Sequence, residues 1–551
     1  MNNDASLIVT DTNRRRAQHW DQTHNNVGFT EDTDARPAVR DPFDARLNVF
    51  PDAGSDAQTT MQQRGARVSA SAYGNVTSLL PEDRPSRVLD GDLTTAWRVG
   101  GFAPVNGEWL QVDAPRPITT DRVNLVQPLA GFRNRYITQV KLSFDGGNAG
   151  KDVTLTLDPS SRTPEGQTLR FGRRTFRDLR ITITGDNVGR RPDYPHSSSV
   201  GFAEVRLRDE GASDDLRVDE VVQMPTDLVR RTAGRSADHS LGYVMTRQRT
   251  VLAPPHIAEE EPALTRSFTV PTDRDFTLAG VGRLSHTAPG PVVDSLLGIP
   301  GADAEGVTVR SSGALSTNLE ARGSAALDGS DATAWTTPFE TPVGQWLDVT
   351  APQPVTFDQL GLVVVADGLH SVPTKLRIDA GGTTQIVDVP AVPDSPTAGA
   401  TVQVPVTFAP ITGSDVRVTI EAVRQATTTE YYSQTPRVLP AAIPELGIPG
   451  VTRPAPAAAL DSGCRTDLAT LDGQPLPLRV SGDTGTASQH GALRLEACAE
   501  GPVHLSAGQH VLRATPGRDS GLDLDAIALG SGAGGSAPAP SPGGPVLPDA
   551  A

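Results

Sequence analysis

Lysine is almost missing from this chain: Lys141, Lys151 and Lys375 are the only three in 551 residues, so nearly all positive charge is arginine. The formal net charge is -16. Affinity for phosphate backbones comes mainly from clustered Lys and Arg, so this balance leaves little room for a general nucleic-acid binder, and no nucleic-acid partner is expected. Long apolar runs are also missing. The best stretch, Leu360 to Ala366, has the length of a buried strand rather than a membrane span. The first thirty residues are polar and lack the apolar core of a signal peptide.

Catalytic signatures are missing too. The chain has no Gly-x-Ser-x-Gly elbow, no His-Glu-x-x-His helix and no glycine loop that cradles phosphate ahead of a helix. With 65 acidic residues, carboxylate pairs are inevitable, and spacing singles none of them out as a hydrolase pair. Cysteine is limited to Cys464 and Cys498, both in the terminal segment. A bridge between them would restrict the unfolded chain by roughly 3–4 kcal/mol and favour an oxidising, exported location. Two buried thiols are the alternative.

Glycine (53) and proline (46) are abundant. Short Val, Thr, Leu and Ile runs lie between Gly, Pro, Asp and Asn clusters, the pattern of an all-β protein with many turns and very little helix. The most informative pattern is a long-range repeat. Leu89-Asp90-Gly91-Asp92-Leu93-Thr94-Thr95-Ala96-Trp97 returns 238 residues later as Leu327-Asp328-Gly329-Ser330-Asp331-Ala332-Thr333-Ala334-Trp335. After a one-residue slip, Gly107-Glu108-Trp109-Leu110-Gln111-Val112 is echoed by Gly344-Gln345-Trp346-Leu347-Asp348-Val349. A repeat this long marks two copies of a whole domain rather than a solenoid.

The expected organisation is a leader or junction over 1–60, a first β module over 61–210 and a charged connector over 211–264. A second β module follows over 265–452, then a smaller third β module over 453–530 and a disordered Gly/Ser/Ala/Pro tail over 531–551. In the leader, Leu7-Ile8-Val9 reads as a strand, and Asp11 to Asn13 as caps for a helical turn over Arg14 to Trp20. The Glu259-Glu260-Glu261 run makes the connector a solvated linker or extended strand. Trp97, Trp109, Trp335 and Trp346, repeated beside alternating strands, read as core fillers rather than sugar platforms.

A Val-x-Ala-Ser strand, Leu-Asp-Gly-x-x-x-Thr-x-Trp, Gly-x-Trp-Leu-x-Val and a closing Glu-x-x-Leu strand together resemble the discoidin, or coagulation factor 5/8 type C, module. That implies tandem jelly-roll β-sandwiches of a kind shared by many carbohydrate-binding modules. A wider resemblance rests on Thr10 to Arg16, Thr95 to Gly100, Asp121 to Leu129, Asn134 to Thr138, Leu216 to Val222 and the Cys464–Cys498 unit. These look like the extracytoplasmic part of the alpha-(1->3)-arabinofuranosyltransferase D family, glycosyltransferases that add arabinofuranose to envelope arabinan from a polyprenyl-phosphate donor. The family's multi-spanning membrane domain and its catalytic carboxylate have no counterpart here. The resemblance therefore carries over binding modules and no catalytic residue, with the membrane partner encoded separately or missing, and a periplasmic or envelope location.

The discoidin resemblance also implies a structural calcium ion at each Asp-Gly loop. The residues carried over are Asp90, Asp92, Thr95 and Glu204 in the first module, and Asp328, Ser330, Thr333 and Glu445 in the second. Such loops offer the oxygen ligands that calcium needs. Glu204 would reach the loop because the first and last strands of such a sandwich lie side by side. The alternative is that Asp90 and Thr95 merely bond the turn's own amides. For sugar, the better candidates are edge-loop residues that mix arginine forks, amides and aromatic faces: Arg98, Phe102, Arg133, Asn134, Tyr136, Arg191, Tyr194 and His196. Phe339, His370, Tyr431 and Tyr432 are weaker counterparts in the second module.

These residues point to a non-catalytic, multi-module region that binds arabinan or a related cell-wall glycan, in the assembly of arabinogalactan or lipoarabinomannan. A secreted glycoside-active enzyme and a lectin-like adhesion protein are the competing readings.

Overall fold

The computed structural model describes residues 6–18, 27–33, 54–75, 79–101, 103–129, 133–188, 198–232, 234–248, 261–315, 318–429, 436–498 and 501–538. Strands dominate, and the α-helices among the described residues are short, such as Asp227–Arg231 and the seven-residue Gly290–Leu296. Three β-sandwiches result, all-β as the turn-rich composition predicts.

The first sandwich is organised by two long strands, Trp109–Val126 and Gln167–Asp186, paired antiparallel. Their pairing breaks between Ile118 and Asp113, where Pro115 and Pro117 offer no amide to a ladder. The strand turns a corner there and serves both faces of the sandwich. Its first half pairs with the opening strand Arg67–Ala70 and its second half with the closing strand Glu204–Arg206. The opening and closing strands thus share a neighbour and do not pair with each other, which corrects the side-by-side expectation. Glu204 nevertheless lies across from Val126, close to the Asp90 loop.

The second sandwich repeats this design. Trp346–Val365 pairs with Thr401–Arg424, and the register breaks between Thr350 and Val355, around Pro352 and Pro354. Here Ala442–Ile443 pairs with Trp335–Thr336, and Glu445 bridges Val363. The repeat extends to side chains. Ser71 Oγ accepts from the Trp109 amide at 2.9 Å, as Ser312 Oγ does from Trp346 at 2.9 Å. Trp97 and Trp335 are the buried fillers expected of them, each donating its indole N–H to a carbonyl at 2.9 Å, of Ala72 and Gly313 respectively. Trp109 and Trp346 are only half-buried, capped by Arg180 and Arg417 at 4.2 and 4.3 Å from the ring centroids. They are cation–π surface pairs, not core.

The third sandwich departs most from the sequence reading. It is assembled from chain segments on both sides of the two repeated modules. One sheet runs Leu7–Thr10, Leu241–Thr246, Leu522–Ser531, Arg274–Leu284, Leu493–Ala497, Leu478–Asp483 and Ala459–Asp461. The facing sheet includes Ala469–Leu471, Gly508–Ala514, Thr265–Val270, Val218–Gln223 and Thr60–Gly65. Leu7, Tyr243, Phe268, Phe276, Leu478, Leu512 and Ile527 meet in one apolar core.

The segment read as a charged connector therefore supplies two core strands. Residues 265–284, read as the start of the second module, belong here too. Strand alternation reports that a face is buried but not against which sheet, so these boundaries were not legible. Glu261, taken for part of a solvated acidic run, is buried in an ion network, while Glu259 and Glu260 lie outside the described residues. In place of the expected helical turn, Arg16–Gln18 is a short strand paired with Val27–Thr30, because Arg14 is drawn inward to Asp11 and Glu261. Of the expected tail, Ser531 ends a strand opposite Leu241, and residues beyond 538 lie outside the described residues. Cys464 and Cys498 are joined, with Cα atoms 5.8 Å apart.

Because of this interleaving, a cut in the connector should not release independent halves. A protease site engineered into residues 249–260 should give two fragments that co-elute with the intact chain on gel filtration and part only in denaturant. Separation under native conditions would contradict the shared sheets.

Candidate functional site

Two places gather the predicted site residues. The first is the Asp-Gly loop of each repeat. Gly91 has φ +82°, a left-handed turn that a side chain would strain, and it sends the chain back so that Asp90 Oδ1 accepts from the Asp92 amide at 2.9 Å. Thr95 Oγ donates to Asp90 Oδ2 at 2.8 Å, and Thr94 caps Asp92 through both its amide and its hydroxyl. Arginine surrounds this loop. Arg87 approaches Asp90 at 3.4 Å, Arg518 of the composite sandwich pairs with Asp92, and Arg217 pairs with Glu204 Oε1 at 2.6 Å.

These partners do not satisfy the whole loop. Glu204 Oε2 is buried without a hydrogen-bond partner. Burial pushes the Glu204 carboxyl up to about 7, with Asp90 adding to the rise against the pull of Arg217. Asp90 is raised as well, chiefly by burial. Burial also acts to raise Asp92, but bonds from Thr94 and Arg518 outweigh it, and the net direction is down. Among the described residues no three His, Cys, Asp or Glu side chains gather around one point. A cation here would therefore draw on Asp90 and Glu204 together with the Thr95 hydroxyl and backbone carbonyls. The buried, partnerless Glu204 oxygen beside a second acid fits such an ion, and the arginine that now pairs with Glu204, Arg217, is about half exposed (48%).

The second loop is closed differently. Glu445 Oε1 accepts from the Gly329 amide and, at 3.2 Å, from that of Ser330. Buried Arg453 donates to Asp328 Oδ2 at 3.1 Å, and Thr333 donates to the same oxygen at 2.7 Å. The chain itself supplies the neutralising charge and the donors, so these residues do not call for a cation.

The second place is a cleft of about 580 Å³ between the first and second sandwiches. Arg98, Arg133, Asn134 and Tyr136 line it from the first, and Glu340 and Arg437 from the second. Of the other sugar candidates, Phe102, Arg191, Tyr194 and His196 lie outside the described residues, as do Tyr431 and Tyr432. Phe339, immediately before Glu340, is 55% exposed, and His370 sits 3.0 Å from Asp367.

The described candidates differ in how free they are. Asn134 uses its side-chain oxygen on the Ser198 amide at 2.8 Å and is a loop fastener. Arg98 is held by Asp83 at 3.1 Å, and burial, opposed by Arg98, pushes Asp83 up to about 7. One face of Tyr136 is covered by Arg162, whose guanidinium carbon lies 4.0 Å from the ring centroid. Arg133 is exposed.

Arg162, Glu340 and Arg437 escaped the sequence reading. Arg162 ends a turn capped by Asp158, far from Tyr136 in sequence. Glu340 and Arg437 enter only because the two sandwiches meet, which no local pattern encodes. Glu340 also has φ +69°, an uncommon backbone state for a residue with a side chain, beside its ion-pair partner Arg437.

No established sequence-family profile matches the chain. It is 29% identical over 424 residues to an alpha-(1->3)-arabinofuranosyltransferase of Mycolicibacterium smegmatis, covering 70% of this chain and 27% of that protein. The same-named enzyme of Mycobacterium tuberculosis is 28% identical over 380 residues, covering 63% of this chain and 25% of the relative. The resemblance to the arabinofuranosyltransferases holds. The cryo-EM structure of arabinofuranosyltransferase AftD from Mycobacteria shares the fold, with a TM-score of 0.66 at 16% identity over 98% of this chain and 40% of that one.

The chain spans about a quarter of the length of these curated arabinofuranosyltransferases. Among its described residues no helix is long and apolar enough to cross a membrane. Several residues that carried the resemblance to the arabinofuranosyltransferases are structural. Asp11 and Arg14 lie in the buried ion network, and Glu220 grips Arg84 at 2.6 Å while Arg217 holds Glu204. Asn134 and Tyr136, by contrast, face the cleft.

Proposed function

We propose that this chain is a non-catalytic carbohydrate-binding region acting outside the cytoplasm in cell-wall arabinan assembly, and that glycan lies in the cleft between the first and second sandwiches. One observation carries the reading. In a chain similar to arabinofuranosyltransferases, Arg98, Arg133, Asn134 and Tyr136, the described residues among the sugar candidates, line one concave surface to which the second sandwich adds Glu340 and Arg437. Grooves of this kind, lined by arginine forks and an aromatic edge, suit hydroxyl-rich ligands. A calcium ion held by Asp90, Thr95 and Glu204 would stiffen the first sandwich, one of the two that line this cleft.

The purified chain should bind arabinan or arabinogalactan fragments by isothermal titration calorimetry and should not bind cellulose. Tyr136→Ala should weaken arabinan binding about tenfold, the cost of roughly one good contact of 1.4 kcal/mol. No arabinosyl transfer from a polyprenyl donor is expected. Equal affinity for cellulose and arabinan would overturn the proposal, and release of free arabinose from arabinan would favour a glycoside-active enzyme instead.

A further inference from the structure

In a chain with a net charge of -16, the cleft between the sandwiches is an island of the opposite sign. Arg98, Arg133, Arg135, Arg162 and Arg437 line it, against the single acid Glu340. Three of these guanidinium groups are already committed. Arg98 has Asp83, Arg135 is clamped by Asp186 at 2.6 Å with both side chains buried, and Arg437 has Glu340. Arg133 and Arg162 have no carboxylate partner among the described residues, and both are exposed. Arg162 is held in place, flat over Tyr136. Many exposed arginines elsewhere among the described residues sit against acids, as Arg173 does with Glu210 at 2.6 Å, whereas Arg133 and Arg162 face one cleft together.

On the reading that the cleft takes glycan, we infer that it selects a saccharide carrying an anionic group, a carboxylate or a phosphate, seated between Arg133 and Arg162 and read by Arg437. Guanidinium forks match two oxygens of such a group, whereas a neutral furanose covering these arginines would desolvate them without offering an opposing charge. Glu340 completes the argument. Held at φ +69°, it places its carboxylate on Arg437 within the lining of the cleft, where a ligand anion would pair with that arginine. It acts as a resident anion that the ligand displaces. The two anion sources share this chemistry and are separated by the probes below.

The test uses the full chain and three probes: a galacturonate oligosaccharide, a phosphorylated oligosaccharide and a neutral arabino-oligosaccharide of equal length. At least one anionic probe should bind ten or more times tighter than the neutral one. Its affinity should fall several-fold between 50 and 300 mM salt, because the contacts are exposed and screened. Arg133→Gln with Arg162→Gln should erase that preference, bringing the ratio of anionic to neutral affinity to within about twofold of one. Glu340→Gln should move the other way, raising anionic affinity several-fold, a gain that a misfolded variant would not show. If the neutral probe binds as well as both anionic ones, or if Glu340→Gln leaves the ratio unchanged, the inference falls while the glycan-binding reading stands. If no probe binds, both fall.

Discussion

Replacing Arg266 with methionine is expected to destabilise the composite sandwich by about 3–5 kcal/mol, the usual cost of leaving a buried ion without its partner. Arg266 is fully buried and bonds Asp11 through Nε at 2.6 Å, and both oxygens of Glu261 through Nη1 and Nη2 at 3.0 and 2.9 Å. Arg14 adds bonds to the same two acids. The network joins the first strand, the segment before Thr265 and the strand that begins there, which are the chain crossings that close this sandwich. Its pH signature follows from Glu261. Burial acts to raise this carboxyl, but Arg14 and Arg266 outweigh it and hold it at about 2, below an ordinary value of 4.5. A depressed acid contributes stability that is fully present above the unfolded value and is lost as pH falls through the folded one. Protection of the composite sandwich should therefore decline from pH 4.5 towards 2. Tryptophan fluorescence is a poor reporter of this, since four of the five tryptophans, Trp97, Trp109, Trp335 and Trp346, sit in the repeated sandwiches. Hydrogen exchange across Leu241–Thr246 and Leu522–Ser531 reports it directly. Wild-type protection in Arg266→Met at neutral pH would show that the network contributes nothing to stability.

That network also marks the limit of what the sequence discloses. The two repeated sandwiches were legible because each is continuous in the chain and carries its own signature, down to Trp97 with Trp335 and the corner prolines. The composite sandwich was not. Leu7-Ile8-Val9 reads as a strand on its own, yet nothing local says that it shares a sheet with Leu241–Thr246 and Leu522–Ser531. Acidic Glu261 looked solvated because its partners, Arg14 and Arg266, are identified only by the fold. The cleft was half legible for the same reason. Asn134 and Tyr136 belong to a loop of the first sandwich and Arg98 to its strand Trp97–Val99, whereas Glu340 and Arg437 reach the cleft across a domain boundary.

Calcium should raise the unfolding temperature of the first sandwich and leave the second where it was. The two loops share the Asp-Gly turn and the acid opposite it, so a shared motif alone would predict equal responses. Their neutralisation differs. In the second, Arg453 is buried against Asp328, and backbone amides take Glu445. In the first, Glu204 has one buried oxygen with no partner, and its ion pair is with an arginine that is 48% exposed. An ion that binds only the assembled site stabilises by RT ln(1 + [Ca]/Kd), about 2.7 kcal/mol at a hundredfold excess over Kd, enough to shift a module of this size by several degrees. Asp90→Ala should abolish the shift, and Asp328→Ala should leave the first sandwich's response intact. Arg217→Ala should strengthen it, because Glu204 then loses the cation with which calcium competes. Differential scanning calorimetry of chelator-treated protein, with and without calcium, separates the cases. Equal shifts in both sandwiches would make the motif, not its neutralisation, the determinant. No shift in either would leave Asp90 and Thr95 as a hydrogen-bonded turn, with Arg217 alone balancing Glu204.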